Sequence, residues 1–255
     1  NVYLPRCISS YVGADITTAI LASGMTNDRT AFLVDIGTNG EMALWHQGRL
    51  VCCSTAAGPA FEGGGISCGM LAVSGAICKV FVQDGTICYE TIDKKAPVGI
   101  CGTGLIDAVA ALRAQGLIDE TGYMEEDYTF AGSDVTITVG DIRQMQLAKS
   151  AIRSGIDTLL HTCGIDCEQI ERFYIAGGFG SFINKESAAA IGLIPHEVLD
   201  KVAVVGNGAG TGAAMILQSR ACLAQSEQIA AMAETVELSG SPYFMERYVD
   251  NMMFL

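Results

Sequence analysis

Positive charge is scarce in this sequence: fifteen Lys plus Arg stand against twenty-eight Asp plus Glu, a formal charge of −13. Such a chain repels nucleic-acid phosphates and acidic membrane surfaces unless a local basic patch intervenes, and the sequence has none. Long apolar runs are missing as well, each stretch being broken by Gly or a polar residue before the roughly 18 to 20 residues that a transmembrane helix requires. Neither nucleic acid nor membrane is therefore an expected partner. Charged residues make up only 17% of a half-apolar chain, which excludes intrinsic disorder. With three His, and with Cys52-Cys53 and Cys163-x-x-x-Cys167 outside the usual zinc and iron–sulfur spacings, a structural metal site is disfavoured. No Gly-Lys-Ser or Gly-Lys-Thr occurs, so a Walker A loop is absent. The start at Asn1 shows neither a basic region nor an apolar leader, and the expectation is a segment of a longer protein.

Ten cysteines are present, scattered through apolar segments of a chain too long to need disulfide staples. They read as reduced thiols, and the location expected from them is cytoplasmic. Thirty glycines against five prolines point to tight turns and to backbone lying close to a ligand.

Residues 13–24 carry Ile16, Ile20 and Leu21 at helical spacing, with Gly24 as the stop. Strands follow at 31–36, 41–45 and 49–54, separated by the turn pairs Asn39-Gly40 and Gln47-Gly48. A second hairpin, 76–82 with 86–92, turns at Asp84-Gly85, and an Ala-rich helix runs from Leu105 to Gln115. Residues 119–134 are polar and acidic and read as a loop. The stripe Ile142, Met145, Ala148, Ile152, Ile156 and Leu159 predicts a long helix from Asp141 to His161. Strands at 172–176 and 202–205 each meet a glycine cluster; a helix begins near Ala213, and the tail from Ser226 reads as one or two more. Antiparallel strands followed by strand–helix alternation predict an α/β fold with a mixed sheet flanked by helices, whose ligands bind where strands end in glycine.

Four clusters carry candidate chemistry. Asp35-Ile36-Gly37-Thr38-Asn39-Gly40-Glu41 can aim backbone N–H groups and the Thr38 hydroxyl at a phosphate, with Asp35 holding a hydrated magnesium ion; a plain hairpin is the alternative. Cys101-Gly102-Thr103-Gly104 opens a helix whose amides can meet an anion, unless Thr103 merely caps it. Gly177-Gly178-Phe179-Gly180 lets a flat ligand approach the main chain, although strand-to-helix turns often use Gly. Gly206-Asn207-Gly208-Ala209-Gly210 superficially suits a dinucleotide fingerprint, which needs a βαβ unit where only a helical tail follows. Glu62, in a glycine-rich stretch, is either a water-orienting carboxylate or a surface residue, and the three His support no catalytic triad.

In order along the chain, Asp-Ile-Gly-Thr-Asn-Gly-Glu, Ala-Gly-Pro-Ala-Phe-Glu-Gly, Gly-Ile-Cys-Gly-Thr-Gly-Leu-Ile-Asp, Ile-Ala-Gly-Gly-Phe-Gly and Gly-Asn-Gly-Ala-Gly together resemble the actin-like ATPase superfamily, specifically the ATP-dependent reductive activators of corrinoid proteins. The resemblance spans nearly the whole chain. It implies a ribonuclease-H-like, actin-type ATPase lobe with an inserted hairpin and helices near 70–135, preceded at 1–30 by a connecting helix, the whole of 1–255 forming one C-terminal region. It implies that Asp35 to Glu41 match the second phosphate loop, with Gly37, Thr38, Asn39 and Gly40 binding the cofactor, and that Gly177, Gly178, Phe179 and Gly180 match the adenosine motif. Gly102, Thr103 and Gly104 join the nucleotide site, Gly206, Asn207 and Gly208 form a connecting motif, and Asp35 and Glu62 serve as catalytic groups. ATP and magnesium are the implied cofactors, and the implied reaction returns cob(II)alamin on a methyl-transfer corrinoid protein to cob(I)alamin.

The chain also departs from that pattern. It has one Asp-x-Gly-Thr motif and no ferredoxin cysteine pattern, so the iron–sulfur cluster and the first lobe are expected upstream, and this segment alone is expected to bind ATP weakly and turn it over little. A homodimer is compatible with this reading. Two alternatives stand beside it: a small-molecule kinase or hydantoinase-like member of the same superfamily, and a docking module that does not hydrolyse nucleotide.

Overall fold

The computed structural model describes residues 2–178 and 182–255. Its centre is a six-stranded sheet. Strands β1 (Thr30–Ile36), β2 (Gly40–His46) and β3 (Arg49–Thr55) form an antiparallel meander, and β9 (Arg172–Ala176) and β10 (Val202–Gly206) extend it in parallel beside β1. A two-residue strand, β11 (Glu234–Thr235), closes the other edge, giving the order β10-β9-β1-β2-β3-β11.

Period-two alternation sorts the strand residues into two cores. Phe32, Val34, Ile36, Met42, Leu44, Phe173 and Ile175 face α3 (Val139–Cys163), whose predicted apolar stripe is fully buried against them. Phe32 and Phe173 stack across β1 and β9 with ring centroids 5.3 Å apart. Ala31, Leu33, Ala43 and Leu50 face the other way, against α1 (Ala14–Ser23) and helices from the end of the chain. Each large side chain so buried contributes about 1.5–3 kcal/mol. Helix α3 starts with a reciprocal cap: Thr138 accepts from the Asp141 N–H and Asp141 accepts from the Thr138 N–H. Asp141 also accepts from the Ser67 N–H at 2.7 Å, which ties the glycine-rich segment before it to the helix.

Between β3 and α3 the chain makes an excursion. Hairpin β4 (Ala76–Gln83) and β5 (Thr86–Thr91) turns at Asp84 and Gly85, both with positive φ, and β6 (Gly99–Ile100) completes a three-stranded sheet. Helix α2 (Gly102–Ala114) packs on β4, and β7 (Tyr128–Thr129) pairs with β8 (Thr136–Ile137) within the acidic loop. After β9 come α4 (Lys185–Ala190), α5 (Gly208–Gln218), α6 (Arg220–Met232) and α7 (Pro242–Asp250).

Three predicted boundaries move, each for a local reason. Asn39-Gly40 is not a two-residue turn: residues 37–39 form the loop and Gly40 already belongs to β2, where a Cβ would collide with Ile152 Cδ1 at 2.1 Å. Helix α5 begins at Gly208 rather than near Ala213, and a Cβ on Gly212 would lie 2.0 Å from the Thr18 carbonyl of α1, so glycine lets the two helices approach. Helix α2 starts three residues before Leu105, at Gly102.

Candidate nucleotide site

The parallel strands β1, β9 and β10 end side by side, and the candidate residues gather at those ends. Asp35 is the penultimate residue of β1, opposite Glu41 of β2 and Ala176 of β9. At Gly177, with φ +102°, a Cβ would stand 2.9 Å from Asp35 Oδ1 and 2.6 Å from the Ile36 carbonyl, so only glycine leaves this carboxylate its place. The Gly177 N–H donates to the Gly206 carbonyl at 2.9 Å, joining the ends of β9 and β10.

Loop 37–39 is held from below. The Gly58 N–H donates to the Thr38 carbonyl at 2.8 Å, and the Thr38 hydroxyl donates to Glu62 at 2.5 Å. Glu62 ends a short 3₁₀ turn, Pro59–Glu62, anchored by the buried Phe61 next to it. The structure thus brings Glu62 to loop 37–39, where its carboxylate fixes the Thr38 hydroxyl.

Electrostatics mark the same spot. Burial pushes Asp35 up to about 6, with Asp15 adding to the effect. Glu41 is pushed up to about 7 by burial, then by Asp15 and Asp35, against the Ser54 hydroxyl that donates to it at 3.3 Å. No cation pairs with Asp15, Asp35 or Glu41 among the described residues. Neither Asp15 nor Glu41 is a sequence-predicted site residue. Glu41 faces Asp35 because the loop is the three residues 37–39, whereas the predicted two-residue turn at Asn39-Gly40 would set Glu41 opposite Thr38; Asp15, on another element, had no sequence signal.

A cavity of about 1000 Å³ opens beside the loop. Its wall takes Ile36 and Glu62 from the loop side, Gly102 and Thr103 from the first turn of α2, and Gly178 from the end of β9. Two of the four predicted clusters therefore line one cavity with site residues, Gly102 and Thr103 from one and Gly178 from the other, while the cluster 35–41 reaches it only through Ile36. The fourth does not reach it: Asn207 caps α5 by accepting from the Gly210 N–H at 2.8 Å, and Gly208 is buried against Ala19. Thr103 does not cap α2, because its hydroxyl donates instead to the Cys78 carbonyl at 3.0 Å, and no side chain among the described residues caps that end. Gly104 is set by packing, since a Cβ would lie 2.2 Å from the Ile77 carbonyl. Asn39 is exposed in the loop, and Phe179 and Gly180 lie outside the described residues.

A meander continued by two parallel strands, with glycine at the strand ends, defines a ribonuclease-H-like lobe of the actin-type ATPases. Residues 29–255 match the family described as the C-terminal domain of RACo, the ASKHA domain, and the chain belongs to that family. It is 37% identical to the corrinoid activation enzyme RamQ of Eubacterium limosum over 97% of this chain and 46% of that protein. It is 32% identical to the [Co(II) methylated amine-specific corrinoid protein] reductase of Methanosarcina barkeri, over 76% of this chain and 40% of that one. A solved structure of a reductive activator for corrinoid, iron–sulfur protein superposes with a TM-score of 0.91 at 38% identity, covering 99% of this chain and 44% of its own. The chain spans less than half the length of these relatives. Among the described residues, no helix is long and apolar enough to cross a membrane.

Proposed function

We propose that this chain is the nucleotide-binding region of a cytoplasmic reductive activator, which uses ATP to return the cobalt of a methyl-transfer corrinoid protein from Co(II) to Co(I). Support for the nucleotide comes chiefly from one observation: two separate glycine clusters, at Gly102 and Gly178, meet in one cavity that Ile36 and Glu62 join to the loop 37–39. Support for the corrinoid partner comes from the relatives' names. The electron would come from an iron–sulfur segment outside this chain, with ATP binding expressed as different affinity for the partner in two states.

Within that reading the residues have separate roles. Backbone N–H groups of Thr38 and Asn39 take phosphate oxygens, since the Gly37 N–H donates to the Asn39 carbonyl at 3.1 Å and Gly40 belongs to β2, and Glu62 holds the Thr38 hydroxyl in place. The α2 N-terminus supplies positive dipole to the same cavity. The donor set suits a hydrated magnesium ion: no three His, Cys, Asp or Glu side chains stand close enough to enclose a metal among the described residues, and magnesium keeps its waters and needs only one or two carboxylates. Asp35 would hold it, and the ion would supply charge neutralisation to the phosphates. Gly178 leaves open the place where a flat base can lie, because a Cβ there meets nothing within 4 Å among the described residues.

Calorimetric titration of the intact protein with Mg·ATP tests this. Binding is expected, and Gly178→Leu is expected to weaken it by filling the cavity. Failure of the intact protein to bind ATP would sink the proposal.

A further inference from the structure

The cavity contains a polar group that the roles above leave unused. Asp107 lies on α2 one turn after Thr103, in the cavity wall and only 3% exposed. Its Oδ2 accepts from the Val80 N–H at 3.2 Å, whereas Oδ1 is buried with no hydrogen-bond partner among the described residues. Burial raises its pKa; Ser187, Val80 and Asn184 oppose that, yet neither side chain, Ser187 nor Asn184, reaches Oδ1 in hydrogen-bonding geometry. Asn184 has its carboxamide oxygen engaged by the Glu186 and Ser187 N–H groups at the start of α4. Lys79, the cation in the same wall, is taken by Glu90 at 3.2 Å and lies over the Phe81 ring. A carboxylate oxygen buried this way bears its full desolvation cost until a donor arrives.

We propose that Asp107 Oδ1 accepts a hydrogen bond from an uncharged donor on the nucleoside, and so sets which nucleotide the cavity holds. The inference rests on the nucleotide reading above and adds a specificity residue to it. The chemistry of the wall favours a nucleoside: Met70, Leu71, Ile92 and Phe182 of the same cavity offer apolar surface to a ring, and the charge of Asp107 repels phosphate. Two nucleoside donors fit, a ribose hydroxyl and the exocyclic amine of adenine.

The test is to titrate the intact protein with Mg·ATP, 2′-deoxy-ATP, 3′-deoxy-ATP and purine riboside triphosphate, in wild type, Asp107→Ala and Asp107→Asn. In wild type, the analogue that lacks the recognised donor is expected to bind about 10- to 100-fold more weakly than ATP, the size of a hydrogen bond to a charged acceptor. Asp107→Ala should shrink that gap to within about threefold, and Asp107→Asn, which keeps an acceptor without the charge, should leave an intermediate one. A weakened deoxy analogue identifies the ribose as the donor, and a weakened purine riboside identifies the amine. Equal binding of all four by wild type overturns the proposal, as does a gap that survives in Asp107→Ala. Should the Ala variant not fold, a full wild-type gap in Asp107→Asn overturns it instead. Absence of any nucleotide binding by wild type refutes the nucleotide reading itself, a distinct result.

Discussion

Buried polar groups occur at both ends of this lobe, and they are treated in opposite ways. Under the C-terminal segment each polar side chain of α3 meets a partner: Gln146 donates to the carbonyls of Thr121 and Met252, Lys149 to that of Met253, and Ser150 to that of Tyr248. Asp157 binds Arg153, Arg247 and Asn251 together. At the strand ends, by contrast, the half-buried Asp35 and Glu41 lie near Asp15 with no cation among the described residues, and on α2 the buried Asp107 keeps one oxygen without a described partner. Satisfied groups fasten the chain to itself; groups left unsatisfied store a cost that a ligand can relieve.

Substitutions should separate the two regions. Asp35→Ala is expected to lower Mg·ATP affinity at least about 100-fold, near 2.8 kcal/mol, without unfolding the protein. Unchanged affinity by calorimetry would remove Asp35 from the site. Asp157→Ala should do the reverse, costing about 2 kcal/mol of stability in a denaturant melt by leaving Arg153 unpaired and Arg247 with Asp250 alone, with ATP affinity intact. A large loss of affinity in that variant would show that the two regions are coupled.

The sequence exposed these regions unequally. Strands β1 to β3, β9 and the stripe of α3 were legible because alternation and helical periodicity are local signals, and the residue that closes α1, Gly24, was legible as a left-handed stop. Glu62 was legible as a carboxylate among glycines, but its hydrogen bond to Thr38 spans 24 residues and depends on the turn that buries Phe61. Asp107 was hidden by the predicted start of α2 at Leu105, which concealed its one-turn spacing from Thr103. Two glycines of the cluster near 206, Gly208 and Gly212, lie against Ala19 and Thr18 of α1, a packing role that sequence does not separate from ligand contact because both demand the missing Cβ.

A smaller effect follows from the cost held at Asp35. Replacing it by Asn keeps the shape and removes a buried charge, so the unliganded protein should gain about 1–2 kcal/mol at pH 7 even as it loses nucleotide binding. A destabilised Asp35→Asn variant would mean that the carboxylate is instead part of the architecture, like Asp157.

The smallest effect is a pH profile in which the two regions pull in opposite directions. Asp35 and Glu41 have raised values, about 6 and about 7, so between roughly pH 4 and 7 the folded protein binds more protons than the unfolded chain, and its stability falls as pH rises. Lys149 is lowered to about 7 by burial and by Arg153, so above pH 7 the unfolded chain binds more protons and stability recovers as pH rises. That recovery ends near pH 9, where unfolded thiols ionise while Cys52, pushed up to about 12, and Cys167, pushed up to about 11, resist in the fold. Melting temperature against pH for the unliganded protein should therefore pass through a shallow minimum near neutrality. Asp35→Asn should flatten the acid limb alone and Lys149→Met the alkaline limb alone. If both substitutions flatten the same limb, the opposition between the strand-end acids and the buried lysine of α3 does not hold.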